Sequence, residues 1–141
     1  MVISAPMAIH REVDVYVAMA QGRQIAARLG FDEVDRTKIA IIILELARNI
    51  LHHARTGALT VEIVEHEARA GVLITARDAG PGIANIDQAL EDGFSTAGTL
   101  GAGLPGVQRL ADQFEIDTQP GVGTEVRAWK WLSPTKGTRY A

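Results

Sequence analysis

A chain of 141 residues that is 47% hydrophobic and 22% charged fits one globular domain, long enough to bury a sizeable core and too apolar to stay disordered along its length. Fourteen basic residues against 17 acidic ones leave a net charge of −3, which argues against binding nucleic acid through the phosphate backbone. There is no cysteine, so disulfides, thiolate nucleophiles and cysteine-ligated zinc are excluded.

The first stretch, Met1 to Asp14, has no basic segment followed by an apolar one, so no secretory signal is expected. Met7 to Val13 reads as a short strand. Asp14 is the expected N-cap of a helix with the apolar stripe Val15, Met19, Ile25, Ala26 and Leu29, closed by Gly30 and weakened by Gly22. Asp32 caps a second helix, with Glu33 and Asp35 in its first turn, where the helix dipole favours negative charge. That helix runs to about His53 and is broken by Thr56-Gly57. Its middle, Ile39 to Leu44, is apolar almost all round, which predicts a helix sandwiched between layers. The same run is far too short to cross a bilayer, and no membrane partner is expected.

Thr60 to Glu65 alternates as a strand does, and Gly71 to Arg77 reads as the next strand, joined by a hairpin around Ala68 to Ala70. From Ala79 to Gly106 the chain carries seven glycines, the mark of a long functional loop; one short helix, about Ile86 to Glu91, interrupts it. Pro105 fits the first turn of a helix reaching about Ala111. Phe114 to Thr118 and Glu125 to Trp131 read as strands linked by Gln119-Pro-Gly-Val-Gly123. Residues 133–141 read as a frayed tail, leaving a single domain with a core from about residue 7 to residue 132. The order β-α-α-β-β-loop-α-β-β predicts a two-layer α+β sandwich, with the strands in one sheet and the helices on one face.

Three groups of residues stand out chemically. Glu45 and Asn49 lie four apart on one helical face. A carboxylate beside a carboxamide suits a hydrated magnesium ion or an oriented water; the alternative is a solvated polar stripe. Asp78-Ala-Gly-Pro-Gly82 ends a strand in a turn whose glycines let backbone approach a flat ligand. An ionised aspartate offers only acceptors, as an exocyclic amine such as that of adenine requires; the alternative is an ordinary Asp-rich turn. Gly101-Ala102-Gly103-Leu104-Pro105-Gly106 opens a helix, where successive N–H groups cradle anions. No strand closely precedes it, so the dinucleotide reading of that spacing fails, and no P-loop motif is present. Thr124, after a glycine turn, either supports a base-binding aspartate or simply pairs in the sheet. His52 and His53 lack metal-ligand partners at the right spacing, Trp129 and Trp131 suit sheet packing, and Ser95 and Thr96 have no evident general base.

Taken together and in this order, Glu-x-x-x-Asn on a helix, Asp-x-Gly-x-Gly after a strand and Gly-x-Gly-Leu-x-Gly opening a helix closely resemble the three boxes of the GHKL ATP-binding superfamily of gyrases, heat-shock chaperones, histidine kinases and MutL-type proteins. The stretches Glu45-Leu-Ala-Arg-Asn-Ile50, Asp78-Ala-Gly-Pro-Gly-Ile83, Glu91-Asp-Gly-Phe-Ser-Thr96 and Gly101-Ala-Gly-Leu-Pro-Gly-Val107 look like those of the small stressosome switch kinases within it, and the likeness runs from about Arg11 to Leu132. The resemblance implies the Bergerat fold, a mixed and mainly antiparallel sheet covered on one face by helices. It implies a cytoplasmic serine/threonine kinase that uses ATP and Mg2+, phosphorylates a STAS-domain partner and, when released, activates a downstream phosphatase or cyclase. By the same resemblance Glu45 is the catalytic base and Asn49 the magnesium ligand. Asp78 reads the adenine amine, Gly80 and Gly82 shape its pocket and Thr124 supports it. Gly101, Ala102, Gly103, Leu104 and Gly106 form the lid and phosphate cradle. Histidine kinases generally carry Asn where this chain has Glu45 and bring a phosphoacceptor helix pair, for which this chain has no room; a stand-alone ATPase or isolated histidine-kinase domain therefore ranks behind. The alternative of another class is an anti-sigma factor or nucleotide-gated binding module with little or no kinase turnover.

Overall fold

A computed structural model of the chain describes residues 6–83, 90 and 103–133. The short helix expected at Ile86 to Glu91, the residues Ser95, Thr96, Gly101 and Ala102, and the tail from Pro134 onward lie outside the described residues. Along the chain run β1 (Met7–Ile9), α1 (Glu12–Leu29), α2 (Glu33–Asn49), a π-helical turn (Ile50–Ala54), β2 (Gly57–His66), β3 (Arg69–Asp78), α3 (Leu104–Leu110), β4 (Gln113–Gln119) and β5 (Gly123–Trp131).

Helix α1 starts two residues before the expected cap. Arg11 is the N-cap, and Asp14, three residues on, reaches back so that its Oδ2 accepts from the backbone N–H of His10 at 2.9 Å and of Arg11 at 3.0 Å. Asp14 is thus the closing half of a capping box rather than the N-cap itself. Gly30 closes the helix in the left-handed region, φ 104°. Gly22, which weakens α1 as an isolated helix, makes room for Ile43 of α2: a Cβ there would lie 2.1 Å from Ile43 Cδ1.

Asp32 caps α2 as expected, accepting from Asp35 N–H at 2.8 Å. The helix buries Ile39, Ala40, Ile42, Ile43, Leu44, Glu45, Leu46 and Ala47; a helix apolar nearly all round has to lie between α1 and the sheet. The winding passes from α to π at Ile50, with Arg55 N–H bonded to Ile50 O at 2.7 Å, and Arg55 ends it at φ 72°.

The sheet order is β1-β2-β3-β5-β4. The expected mixture of parallel and antiparallel pairs gives way to antiparallel pairing throughout the described residues. The chain geometry accounts for this. The α1–α2 pair returns the chain to the end of the sheet where β1 stopped, so Ile9 pairs with Gly57. Strands β3 and β4 do run the same way, but β5 lies between them and pairs antiparallel with both. The β2–β3 hairpin is tighter than expected. It turns on Glu67 and Ala68, at φ 51° and 65°, and both strands extend further toward it than their apolar alternation suggests.

Inward-facing Leu59, Val61, Val72, Ile74, Val126 and Ala128 meet Ile39, Ile42, Ile43, Leu46 and Ile50 in one core. Each fully buried aliphatic side chain contributes about 1.5–3 kcal/mol. Trp129 and Trp131 share the opposite face, across from Leu73 and Gly71, and Trp131 lies close over Gly71. Among the described residues no helix is long and apolar enough to cross a membrane.

Candidate functional site

One register row of the sheet organises the site. Ile9 pairs with Gly57, Gly57 with Asp78, Asp78 with Thr124 and Thr124 with Thr118, so five strands contribute one residue each to a single rung. Cross-strand partners share a face, and this row shares the inward face with Ala76 and Val126. Asp78 is therefore delivered by the last position of β3 to the helix-covered side of the sheet end. Its Oδ1 accepts from Gly80 N–H at 2.8 Å, and Oδ2 has no hydrogen-bond partner among the described residues.

Small residues let backbone close around this carboxylate. A Cβ at Gly57 would lie 2.6 Å from Arg77 O, 2.9 Å from Ile50 Cγ2 and 3.1 Å from Asp78 Cβ. At Gly80 it would meet Ala54 Cβ at 2.5 Å and Asp78 Oδ1 at 3.1 Å. Ile50 follows Asn49 directly, and Ala54 ends the π turn. The C-terminal end of α2, with Asn49 on it, is therefore packed against the Asp78 loop. Gly82 takes φ 77° and lies against Gln119 and Pro120, while Gly121 N–H donates to Pro81 O at 2.6 Å. The β3 exit loop is thus clasped between the π turn on one side and the β4–β5 turn on the other.

One turn before Asn49, Glu45 is 1% exposed. The solvated-stripe alternative for the Glu45/Asn49 pair fails there. Glu45 Oε1 accepts from Gly103 N–H at 3.1 Å, and Gly103 is the N-cap of α3 at φ 71°. The carboxylate on α2 is thereby joined to the first turn of α3, which packs on α2. Of the expected cradle, Gly103 points its amide at Glu45, while Leu104 and Gly106 are buried in the α3 turn and Leu104 joins the apolar core. Gly101 and Ala102 lie outside the described residues. The sequence brings together, at one end of the domain, Glu45 and Asn49 from one helix, Asp78, Gly80 and Gly82 from the strand exit, Thr124 beside Asp78, and Gly103 against Glu45.

Thr118 carried no signal in the sequence. Its Oγ1 accepts from Ile83 N–H at 2.9 Å, lies 3.2 Å from Gly123 O and 2.9 Å from Thr124 Oγ1. Ala54 and Gly57, whose small size admits the close contacts, likewise carry no site signal in the sequence, where Gly57 reads only as a helix breaker. On the reverse of the sheet, Arg77 bonds Glu125, and Arg127 bonds Glu125 and Glu115, lacing β3, β5 and β4 together beneath the site. The hydrogen bond from Arg77 comes first in holding the Glu125 carboxyl below the usual carboxylate range, against the effect of its burial, with Arg127 assisting.

An acceptor-only carboxylate beside close backbone suits an amine-bearing flat ring. A carboxylate and a carboxamide one helical turn apart supply hard oxygen donors and a proton acceptor. Among the described residues no group of three or more His, Cys, Asp or Glu side chains is placed to hold a metal. Magnesium bound through one side-chain oxygen and substrate phosphates requires no such cage, so Asn49 fits that donor set.

Residues 34–134 match the histidine kinase-, DNA gyrase B- and HSP90-like ATPase family. Over 124 residues the chain is 48% identical to the serine/threonine-protein kinase RsbT of Bacillus subtilis, covering 88% of this chain and 93% of that one. It is 28% identical over 109 residues to the anti-sigma F factor of Bacillus licheniformis, covering 71% and 72% of the two chains, and 30% identical over 104 residues to that of Bacillus cytotoxicus, covering 69% and 70%. Among solved structures, the RsbU and RsbW domains of Rv1364c from Mycobacterium tuberculosis superpose with a TM-score of 0.58 at 15% identity. That match covers 92% of this chain and 34% of that one, and it shows the shared Bergerat fold. The enzyme class is that of an ATP-using serine/threonine kinase. With its order of elements and its sequence in agreement, this chain belongs to the histidine kinase-, DNA gyrase B- and HSP90-like ATPase family, as a homologue of the serine/threonine-protein kinase RsbT.

Proposed function

We propose that this chain transfers the γ-phosphoryl group of ATP to a serine or threonine hydroxyl of a STAS-domain protein, and that the change of partner this brings about switches a downstream phosphatase or cyclase in stress or second-messenger signalling. The observation that carries the reading is the placement of Glu45: a buried carboxylate, bonded to Gly103 N–H at 3.1 Å, on the helix whose π-wound continuation, through Ile50 and Ala54, packs beside Gly57 and Gly80. A carboxylate kept from bulk water and held by a backbone amide is suited to receive a proton from an attacking hydroxyl.

Phosphoryl transfer is mostly positioning and electrostatics. The hydroxyl proton passes to the Glu45 carboxylate as the oxygen bonds the γ-phosphorus, and the bond from that phosphorus to the bridging oxygen breaks, releasing ADP. Asp78 orients the adenine through its amine, Gly80 and Gly82 allow close approach, and Thr124 supports Asp78. Gly101, Ala102, Gly103, Leu104 and Gly106 are assigned to the phosphate side of the site, with Gly103 held on Glu45 and Leu104 anchored in the core. Asn49 would hold magnesium, which when bound neutralises developing charge on the phosphate oxygens. The reading takes the whole chain as a single ATP-binding domain with its core at about residues 7–132, working in the cytoplasm without nucleic acid or membrane partners.

The anti-sigma F factor relatives favour a second reading, a nucleotide-gated module that traps a sigma factor with little turnover. A steady-state kinase assay with a purified STAS partner separates the two. The first reading expects phosphate on the STAS protein, and Glu45→Gln and Asn49→Ala are expected to lower the rate at least about a hundredfold. Wild-type turnover in Glu45→Gln removes the base assignment. Capture of a sigma factor with no phosphorylated product establishes the second reading.

A further inference from the structure

Helix α1 is apolar on two sides. Val15, Ala18, Gly22, Ile25 and Ala26 are buried on the core side. On the opposite side Val13, Val17, Ala20, Gln24 and Ala27 are all exposed, Val13 and Val17 at 49% and 48%, with Tyr16 beside them at 50%. Their spacing alternates between four and three residues, the seam spacing of helices that pack side by side. A helix face left to water ordinarily carries charge, yet none of these five positions does. The small side chains of Ala20 and Ala27 let a second helix approach closely. Val17, Ala20, Gln24 and Ala27 share a groove of about 560 Å³ with Arg23 and Arg36. There Glu33 serves both arginines, Oε2 to Arg23 at 2.6 Å and Oε1 to Arg36 at 3.2 Å. Two guanidinium groups on one carboxylate leave positive charge over, and Arg36 Nε is buried with no hydrogen-bond partner among the described residues. A second carboxylate in the groove lets the Arg36 guanidinium turn and present Nε together with a terminal nitrogen as a fork.

We propose that the exposed seam of α1 is a docking surface for an amphipathic helix of a protein partner, one with apolar residues along its own seam and an acidic residue facing Arg23 and Arg36. Recognition of a helix in a groove takes its affinity from the apolar seam and its choice of partner from the flanking charges. A second copy of this chain fits poorly. Packed antiparallel about Ala20, two α1 helices bring Arg23 and Arg36 of both copies to the middle of the contact. Packed parallel, the flanking positions set Arg23 of one copy against Arg28 of the other. The seam lies on the outer side of the helix layer, away from the Asp78 rung on the sheet, so the inference does not depend on the nucleotide reading.

The test uses the full chain and two synthetic peptides of about 28 residues, both with leucine at every seam position. One carries glutamate and the other lysine at the flanking positions, so that each repels its own kind and stays monomeric. Calorimetric titration is expected to give a dissociation constant of about 1–50 μM for the glutamate peptide and at least about tenfold weaker binding for the lysine peptide. The net charge of −3 on the chain biases non-specific attraction toward the lysine peptide, so a preference for glutamate points to the local arginines. Replacing both arginines, Arg23→Gln with Arg36→Gln, is expected to remove that preference. Val17→Ser is expected to weaken the glutamate peptide at least about fivefold. Equal or tighter binding of the lysine peptide, binding of neither peptide, or a preference that survives the double substitution overturns the proposal. So does dimerisation of the parent chain in analytical ultracentrifugation that Val17→Ser disperses, which assigns the seam to a second copy. If the double variant proves unfolded by circular dichroism, Val17→Ser, at an exposed position, decides: glutamate-peptide binding as tight as the parent's overturns the proposal.

Discussion

At Glu45 a carboxyl group is withdrawn from water between two helices, where Gly103 N–H meets it and offsets part of the cost of burial. A well-packed apolar side chain in place of Glu45 would cost less to bury, so a carboxylate here points to a chemical rather than a structural purpose. At Gly57 the constraint is steric. Gly57→Ala places a methyl against the backbone oxygen of Arg77 and beside Asp78 Cβ, and backbone cannot yield as a flexible side-chain tip can. The variant is expected to lose about 1–3 kcal/mol in urea unfolding, and its ATP affinity by calorimetry should fall as Asp78 is pushed from its place. Glu45, Asn49 and Asp78 are legible from the sequence because each stands in a short motif with fixed spacing. Thr118 and Gly57 are not, because their importance comes from neighbours outside any short motif: Ile83, 35 residues before Thr118, and Arg77 and Asp78 on the strand paired with Gly57.

Among the elements, α2 carries the most. It turns from α to π winding immediately after Asn49, and such turns recur at functional sites. Here the wider turn sends Ile50 toward Gly57 and Ala54 toward Gly80. No periodicity in Ile50–Ala54 announces it; the apolar pattern predicts only that winding continues. At the start of α1, the backbone N–H of His10 and then of Arg11 hold the Asp14 carboxyl below the usual carboxylate range. A carboxyl with a lowered folded-state value adds stability above its unfolded value and loses it as pH falls through the folded one. The melting-temperature gap between the parent and Asp14→Asn is therefore expected to be widest near about pH 7 and to close toward about pH 3. Thermal unfolding followed by circular dichroism at the two pH values checks this; a gap that does not change removes the capping role. The β2–β3 hairpin escaped accurate placement for a related reason. Glu67-Ala68 lacks the Asn-Gly or Asp-Gly signal of a two-residue turn, yet both residues take positive φ because the ten-residue register on either side dictates where the chain reverses.

For the whole molecule, the rung from Ile9 through Gly57, Asp78 and Thr124 to Thr118 means that the site is built from all five strands and α2 at once, so ligand binding should be felt by the global fold. ATP with Mg2+ at about a hundredfold excess over its dissociation constant is expected to add about 2.7 kcal/mol, or roughly 5–10 °C in melting temperature for a domain of this size. Thermal unfolding with nucleotide alone and with Mg2+ added checks it, and an equal shift without the metal removes Asn49 from magnesium binding. The sequence by itself determined the kinds and order of the elements, the sandwiched α2, the capping of its start and the motif residues, since all of these depend on local periodicity and short spacing. Only the tertiary structure decided the antiparallel pairing of the described strands, the burial of Glu45 beside Gly103 and the contacts of the Thr118 hydroxyl with Ile83, Gly123 and Thr124. Each of those depends on which distant backbone groups are left to satisfy once the chain has closed on itself, and a linear pattern does not carry that information.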